Sequence, residues 1–170
     1  MSTETQTYRA IVSLILAIAG ARFKLLLPLI VVLGVFMVVD TIIGIRATTY
    51  EEKHGIKKGV VSSQSIGEGL LGKVGQLLLI VVGITIDIGV YFGANLIGST
   101  IDIHPIFALV ITVTLIGQEL FSIAENYTRC GYEPPAWLGD LGQALKKGAE
   151  SKGDRYVKDI TKEITKDEQD

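Results

Sequence analysis

The sequence predicts an all-α integral membrane protein with three transmembrane helices and an amphipathic, cytoplasmic C-terminal helix. The chain of 170 residues is 48% hydrophobic, yet eight of its sixteen Lys and Arg lie in residues 125–170. Before that point, three apolar stretches reach the roughly 20 residues that a helix needs to cross a bilayer. Soluble core helices rarely run so long without a polar face. We therefore divide the chain into an N-terminal segment (1–24), a membrane domain (25–130) and a charged tail (131–170).

The N-terminal segment contains a twelve-residue apolar stretch at residues 10–21. As a helix it is about 18 Å long, which is too short for a usual span. We favour a retained helix that lies in the membrane interface. A cleaved signal peptide and a very short fourth span are the alternatives, because the stretch has the length and the small-residue ending of a signal sequence.

The three predicted spans are residues 25–45, 74–97 and 105–126. Basic residues in short loops mark the cytoplasmic side. The loop between the second and third spans has no Lys or Arg, whereas the preceding loop has five: Arg46, Lys53, Lys57, Lys58 and Lys73. That loop and the C-terminal tail are therefore expected in the cytoplasm. Arg22 and Lys24 then lie on the outer side, against the rule.

Acidic residues interrupt the apolar spans, which is costly unless they face protein or water. Asp40 lies about 8 Å from the inner end of the first span, where it can reach water or pair with Arg46 or Lys73. Asp87 is predicted near the middle of the second span, where it cannot reach water alone. Acids at these depths predict helices that oligomerise around water or protonate to hide in lipid, or else a static bundle in which these groups are hydrogen-bonded to each other. The sequence leaves both open.

The third span carries a polar stripe on its inner half. Gln118, Ser122 and Glu125 recur at spacings of three and four, and Glu119 and Asn126 flank them. We hypothesise that a closed state packs Asp87 and this stripe against protein and that an open state turns them toward water.

Glycines and aromatics give further expectations. Gly83 precedes Asp87 by one turn, and Gly89 and Gly93 form a G-x-x-x-G pattern, so a second helix is expected to pack closely there.

In the tail, Trp137 begins a narrow apolar stripe that is expected to rest on cytoplasmic headgroups or on a neighbouring subunit. From Lys146 onward, alternating charges predict a solvated, loosely attached helix.

Several classes of function are disfavoured. A net charge of −2 gives no indication of a nucleic-acid partner. One cysteine and two histidines are too few for a convincing zinc site, and we expect no metal or cofactor. Residues 67–72 read GEGLLG, but a dinucleotide site requires a preceding strand, so these glycines are expected to form a turn. No set of catalytic groups is evident, so an enzyme is not expected.

Three segments resemble the toxin-secretion/phage-lysis holin family. They are VVDTIIGI (38–45), SIGEGLLGKVGQLLLIVVGITID (65–87) and ELFSIAENYTRCGYEPPAWLGDLGQALKK (119–147). The last is the most specific, with an E-x-x-S-I-x-E-N core, a glycine, a proline and a Leu-containing helix. The resemblance covers about residues 25–148.

This resemblance implies a multi-pass protein of the bacterial cytoplasmic membrane. Members oligomerise in the lipid bilayer and open a lesion that releases or activates a cell-wall hydrolase (endolysin) or releases a secreted toxin. The alternative is a structural membrane anchor whose cytoplasmic tail docks a partner.

Overall fold

In the computed structural model, residues 24, 26–56, 62–96 and 105–167 are described. They form four helices: α1 (Leu26–Lys53), α2 (Ser63–Leu96), α3 (Ile106–Arg129) and α4 (Ala136–Asp167). The first three are long and apolar enough to cross a membrane. The predicted all-helical fold with three spans is therefore confirmed. The expected interfacial helix at residues 10–21 lies outside the described residues, as do Lys57, Lys58 and residues 97–104.

The first two spans are longer helices than hydropathy predicted, because their polar ends continue the helix. α1 runs on to Lys53, and Gly55 then adopts a positive φ of 67° that ends it. α2 starts earlier because Ser62 and Ser65 cap it reciprocally, each backbone N–H donating to the other hydroxyl. The turn expected at GEGLLG was wrong, since its glycines lie within α2.

α3 is the central helix of the bundle. It packs against each of the other three helices, whereas α1 and α2 scarcely touch each other. Apolar side chains from all three predicted spans form one core cluster: Leu26, Leu33, Met37, Ile80, Ala108, Leu115, Ile116 and Leu120. The cohesion of the fold therefore depends on α3.

α4 folds back along α3 and runs antiparallel to it. Gly142 lies opposite Gly117, Gly153 lies against Val110, and the ring of Tyr156 meets that of Phe107 with centroids 5.6 Å apart. This packing differs from the expected loosely attached helix. Small residues let the two backbones approach, and hydropathy does not register that kind of contact.

The outer surface of α2 is mostly apolar and open. Leu71, Leu78 and Phe92 are among its exposed side chains. The hydroxyls of Thr41 and Thr85 bond to the carbonyl four residues back in their own helix, so they need no water. Such a surface suits lipid or another helix.

Candidate functional site

Lys73 joins the three apolar helices at one buried point. Its ammonium donates a hydrogen bond of 2.8 Å to Asp40 on α1 and a second bond to Glu119 on α3. Asp40 is 8% exposed and Glu119 only 2%, while the Lys73 side chain is 17% exposed. Charges this buried persist only when they are paired. Lys73 thus holds two acids that would otherwise be unpaired among apolar helices.

Asn126 completes this arrangement from α3. Its amide donates to the second carboxylate oxygen of Asp40 at 3.0 Å and, at 3.5 Å, to the Ser122 hydroxyl. Gly44, one turn after Asp40, faces the same amide, since a Cβ there would lie 3.4 Å from it, at van der Waals distance. The acid and the glycine four residues later therefore meet the same side chain. We call Asp40, Lys73, Glu119 and Asn126 the Lys73 cluster.

A second ion pair extends the cluster toward the α1–α2 turn. Arg129 donates two bonds of 2.9 Å to the carboxylate of Glu51 and one of 2.8 Å to the amide oxygen of Asn126. Next to it, Gly131 has a positive φ of 81°, and a Cβ there would lie 2.6 Å from the Tyr50 hydroxyl. Polar contacts therefore run from Glu119 to the end of α3.

A cleft leads from this end of the bundle to the cluster. It lies between α1 and the first turns of α2, and its volume is about 210 Å³. Polar and small side chains line it alongside Asp40 and Lys73, including Thr48, Ser65 and Gly69. Water can thus approach the ion pairs from one end without crossing the apolar core.

Asp87 lies apart from the cluster, at the other end of α3. Its two carboxylate oxygens accept hydrogen bonds from the backbone N–H of Phe107 at 3.0 Å and of Ala108 at 2.9 Å. One turn earlier, Gly83 rests on Ala108, where a Cβ would lie 3.0 Å from the backbone. The carboxylate therefore satisfies the free amides that begin α3.

The expected depth of Asp87 requires a correction. Counting residues along the second span put it near the middle, but it is level with the first turn of α3, because α2 begins earlier and extends past the start of its neighbour. The carboxylate thus belongs to one end of the third span.

The predicted polar stripe divides between two faces of α3. Glu119 and Asn126 are buried in the cluster, Gln118 and Ser122 are half-buried, and Glu125 is exposed. The structure thus brings Asp40 together with Glu119 and Asn126, places Ser122 within hydrogen-bond distance of Asn126, and leaves Gln118 and Glu125 apart. Of the other predicted residues, Gly89 and Gly93 have open space beside them, since a Cβ at either would meet no atom within 4 Å, and Trp137 is exposed.

Sequence reasoning missed part of this site. Hydropathy places Lys73 in the loop before the second span, although pairing with Asp40 is one of the alternatives it leaves open. The serines at 62 and 65 were a readable capping signal that would have put Lys73 inside a helix. Glu51 and Arg129 had no such signal, because only the packing of α1 on α3 brings them together.

The comparisons with known proteins bear on the same residues. The sequence model of the bacteriophage holin family matches residues 17–147, well over half of the chain, including all members of the Lys73 cluster. No curated protein and no solved structure matches the chain.

Proposed function

Because this chain belongs to the bacteriophage holin family, we propose that it accumulates in the bacterial cytoplasmic membrane, oligomerises and opens a lesion. The lesion would release a cell-wall hydrolase or a toxin. The observation that carries the proposal is the Lys73 cluster, which is a set of charges enclosed by three lipid-length helices. The family is one of non-enzymatic membrane proteins, and we expect no catalytic role.

The proposed topology places the cleft on the cytoplasmic side. Basic residues concentrate in and beside the segment that joins α1 to α2, including Arg46 and Lys53. The turn from α3 into α4 follows Arg129, whose partner Glu51 lies near that segment. The C-terminal tail therefore starts in the cytoplasm.

The cluster supports a mechanism in which a closed subunit is tolerated by the membrane. Two acids and one base satisfy each other within one chain, so a single subunit presents few of these charges to lipid. On opening, water that enters by the cleft would replace the intramolecular partners, and the helices would separate. Each ion pair in the Lys73 cluster depends on the others, so loss of one bond to water weakens those that remain. Hydration of the cluster is therefore cooperative, and opening is abrupt.

Assembly is proposed to use the open face of α2. Gly89 and Gly93 lie one turn apart on a helix whose apolar side chains are largely exposed, so a helix of a second copy has room to approach. Gly83 differs, since its close contact is already made by Ala108 within the chain. Replacing Gly89 and Gly93 by Leu should reduce cross-linked oligomers, with Gly75→Leu as the control on the same helix. Undiminished oligomers would reject this interface.

Expression in a bacterial host tests the function itself. We expect an abrupt loss of membrane potential and entry of an impermeant dye after a period of normal growth. Continued growth at high membrane levels of the protein would instead support the anchor. In that case the tail (131–170) would bind a partner when it is expressed without the spans, and substitutions in the Lys73 cluster would have no effect.

A further inference from the structure

α4 packs closely on α3 through Gly117 and Gly142, an interface that we call the seam, and its opposite side is charged. A role limited to the three spans does not account for a charged helix packed in this way. At the seam, a Cβ on Gly142 would lie 2.7 Å from the carbonyl oxygen of Gly117, and one on Gly117 would lie 2.5 Å from that of Gly142. The two backbones therefore touch. A helix that merely trails in solvent has no need of such a contact.

The seam carries α4 along most of α3. The contacts begin where Gly117 of α3 meets Gly142 of α4. They end where Phe107 of α3 meets Tyr156 of α4. These fourteen residues of α4 rise about 21 Å, and the whole helix of 32 residues is about 48 Å long. If α3 crosses the bilayer, docked α4 crosses most of it too.

The exposed side of docked α4 does not suit lipid. Six ionisable side chains lie between Gly142 and Tyr156, and five of them are exposed: Lys147, Glu150, Lys152, Asp154 and Arg155. Helices that face acyl chains exclude such residues. A surface of this kind at membrane depth is stable only against water or other polar groups.

We propose that α4 docks on α3 in the open lesion and that its charged face lines the water-filled hole. This inference rests on the proposed function. Before opening, the tail stays in the cytoplasm and the seam on α3 is free of it. The structure holds docked α4 together with the intact Lys73 cluster, so it represents the step at which α4 has turned in and water has not yet replaced the ion pairs. On opening, α4 turns in along Gly117, and the face around Lys147, Asp154 and Lys158 borders the water. Because both signs of charge alternate there, the hole discriminates little between cations and anions.

A disulfide tests the docking directly. A Cβ at residue 153 would lie 3.9 Å from the Cβ of Val110, which is close to the separation in a disulfide. We would combine V110C and G153C with C130S, reconstitute the protein in phosphatidylethanolamine/phosphatidylglycerol vesicles and follow dye efflux before and after oxidation. Cross-linking is expected to rise as efflux begins, and the oxidised protein is expected to remain leaky. Efflux that stops on oxidation and returns on reduction would overturn the proposal, because docked α4 would then be the closed arrangement.

Charge reversal tests the lining independently. Lys147→Glu with Lys158→Glu should raise the cation-to-anion permeability ratio by about twofold or more in planar bilayers, since fixed charges at a water-filled wall select ions. Lys53→Glu, outside α4, is the matched control and should leave the ratio unchanged. An unchanged ratio in the α4 variant would overturn the lining role. Failure of the wild-type protein to permeabilise either membrane would refute the proposed function itself.

Discussion

Replacing Lys73 by Met is the most informative single change, because it removes the base and leaves both acids in place. Glu119 would lose its ammonium partner at 2% exposure, while Asp40 would keep only the amide of Asn126. Breaking a buried ion pair by removing one partner typically costs about 3–5 kcal/mol. The partly exposed Lys73 and the remaining Asn126 bond favour the lower end of that range. We expect a loss of about 3 kcal/mol, or roughly a hundredfold in the folding equilibrium.

The measurement is an SDS titration of the purified protein in mild detergent, followed by helical circular dichroism. Lys53→Met is the control, because Lys53 is exposed at the end of α1 and its loss should cost no more than about 0.5 kcal/mol. Adding Glu119→Gln to Lys73→Met should restore much of the stability, since it removes the acid that was left unpaired. Equal midpoints for Lys73→Met and wild type, or no recovery in the double variant, would refute the role given to the ion pair.

Three further predictions concern the packing of α3. Gly142→Ala should push α4 away from α3 and increase tryptic cleavage within α4. Gly148→Ala is the control, since the space around it is open, and it should leave cleavage unchanged or lower. Equal cleavage of the two variants would contradict close packing of α4 on α3. Asp87→Asn should leave one backbone amide of the first α3 turn without its acceptor, at a cost of about 1–3 kcal/mol, and hydrogen exchange there should speed up; unaltered exchange would argue against this capping. Arg129→Gln should lower the SDS midpoint less than Lys73→Met does, because the Arg129 side chain is 40% exposed and its pair with Glu51 is partly solvated; an equal or larger shift would contradict that ranking.

The sequence predicted the parts of this fold that depend on hydropathy. Three spans follow from long apolar stretches, and Asp40 stood out because an acid in such a stretch needs a partner. The ends of the helices were not predictable by the same means, since an apolar window stops at the first charges even where the helix continues. That error kept Lys73 out of its helix and misplaced Asp87 relative to α3.

Contacts between segments that are distant in the sequence could not be predicted for a different reason. The seam between α3 and α4 uses Gly117, Gly142 and Gly153, which contribute neither hydropathy nor charge. The pair between Glu51 and Arg129 joins residues 78 positions apart, and only the crossing of α1 and α3 selects it. A single sequence does not reveal which of many such pairings is made.

The near absence of contact between α1 and α2 determines how the protein is built during synthesis. The first two helices share little beyond the ion pair between Asp40 and Lys73, so most of their buried surface is expected to form only when α3 packs on both. Until then Asp40 and Lys73 have each other, but Lys73 lacks its second acid, Glu119, which arrives with α3. A chain truncated before residue 106 therefore lacks most of the contacts that hold α1 and α2 in one bundle.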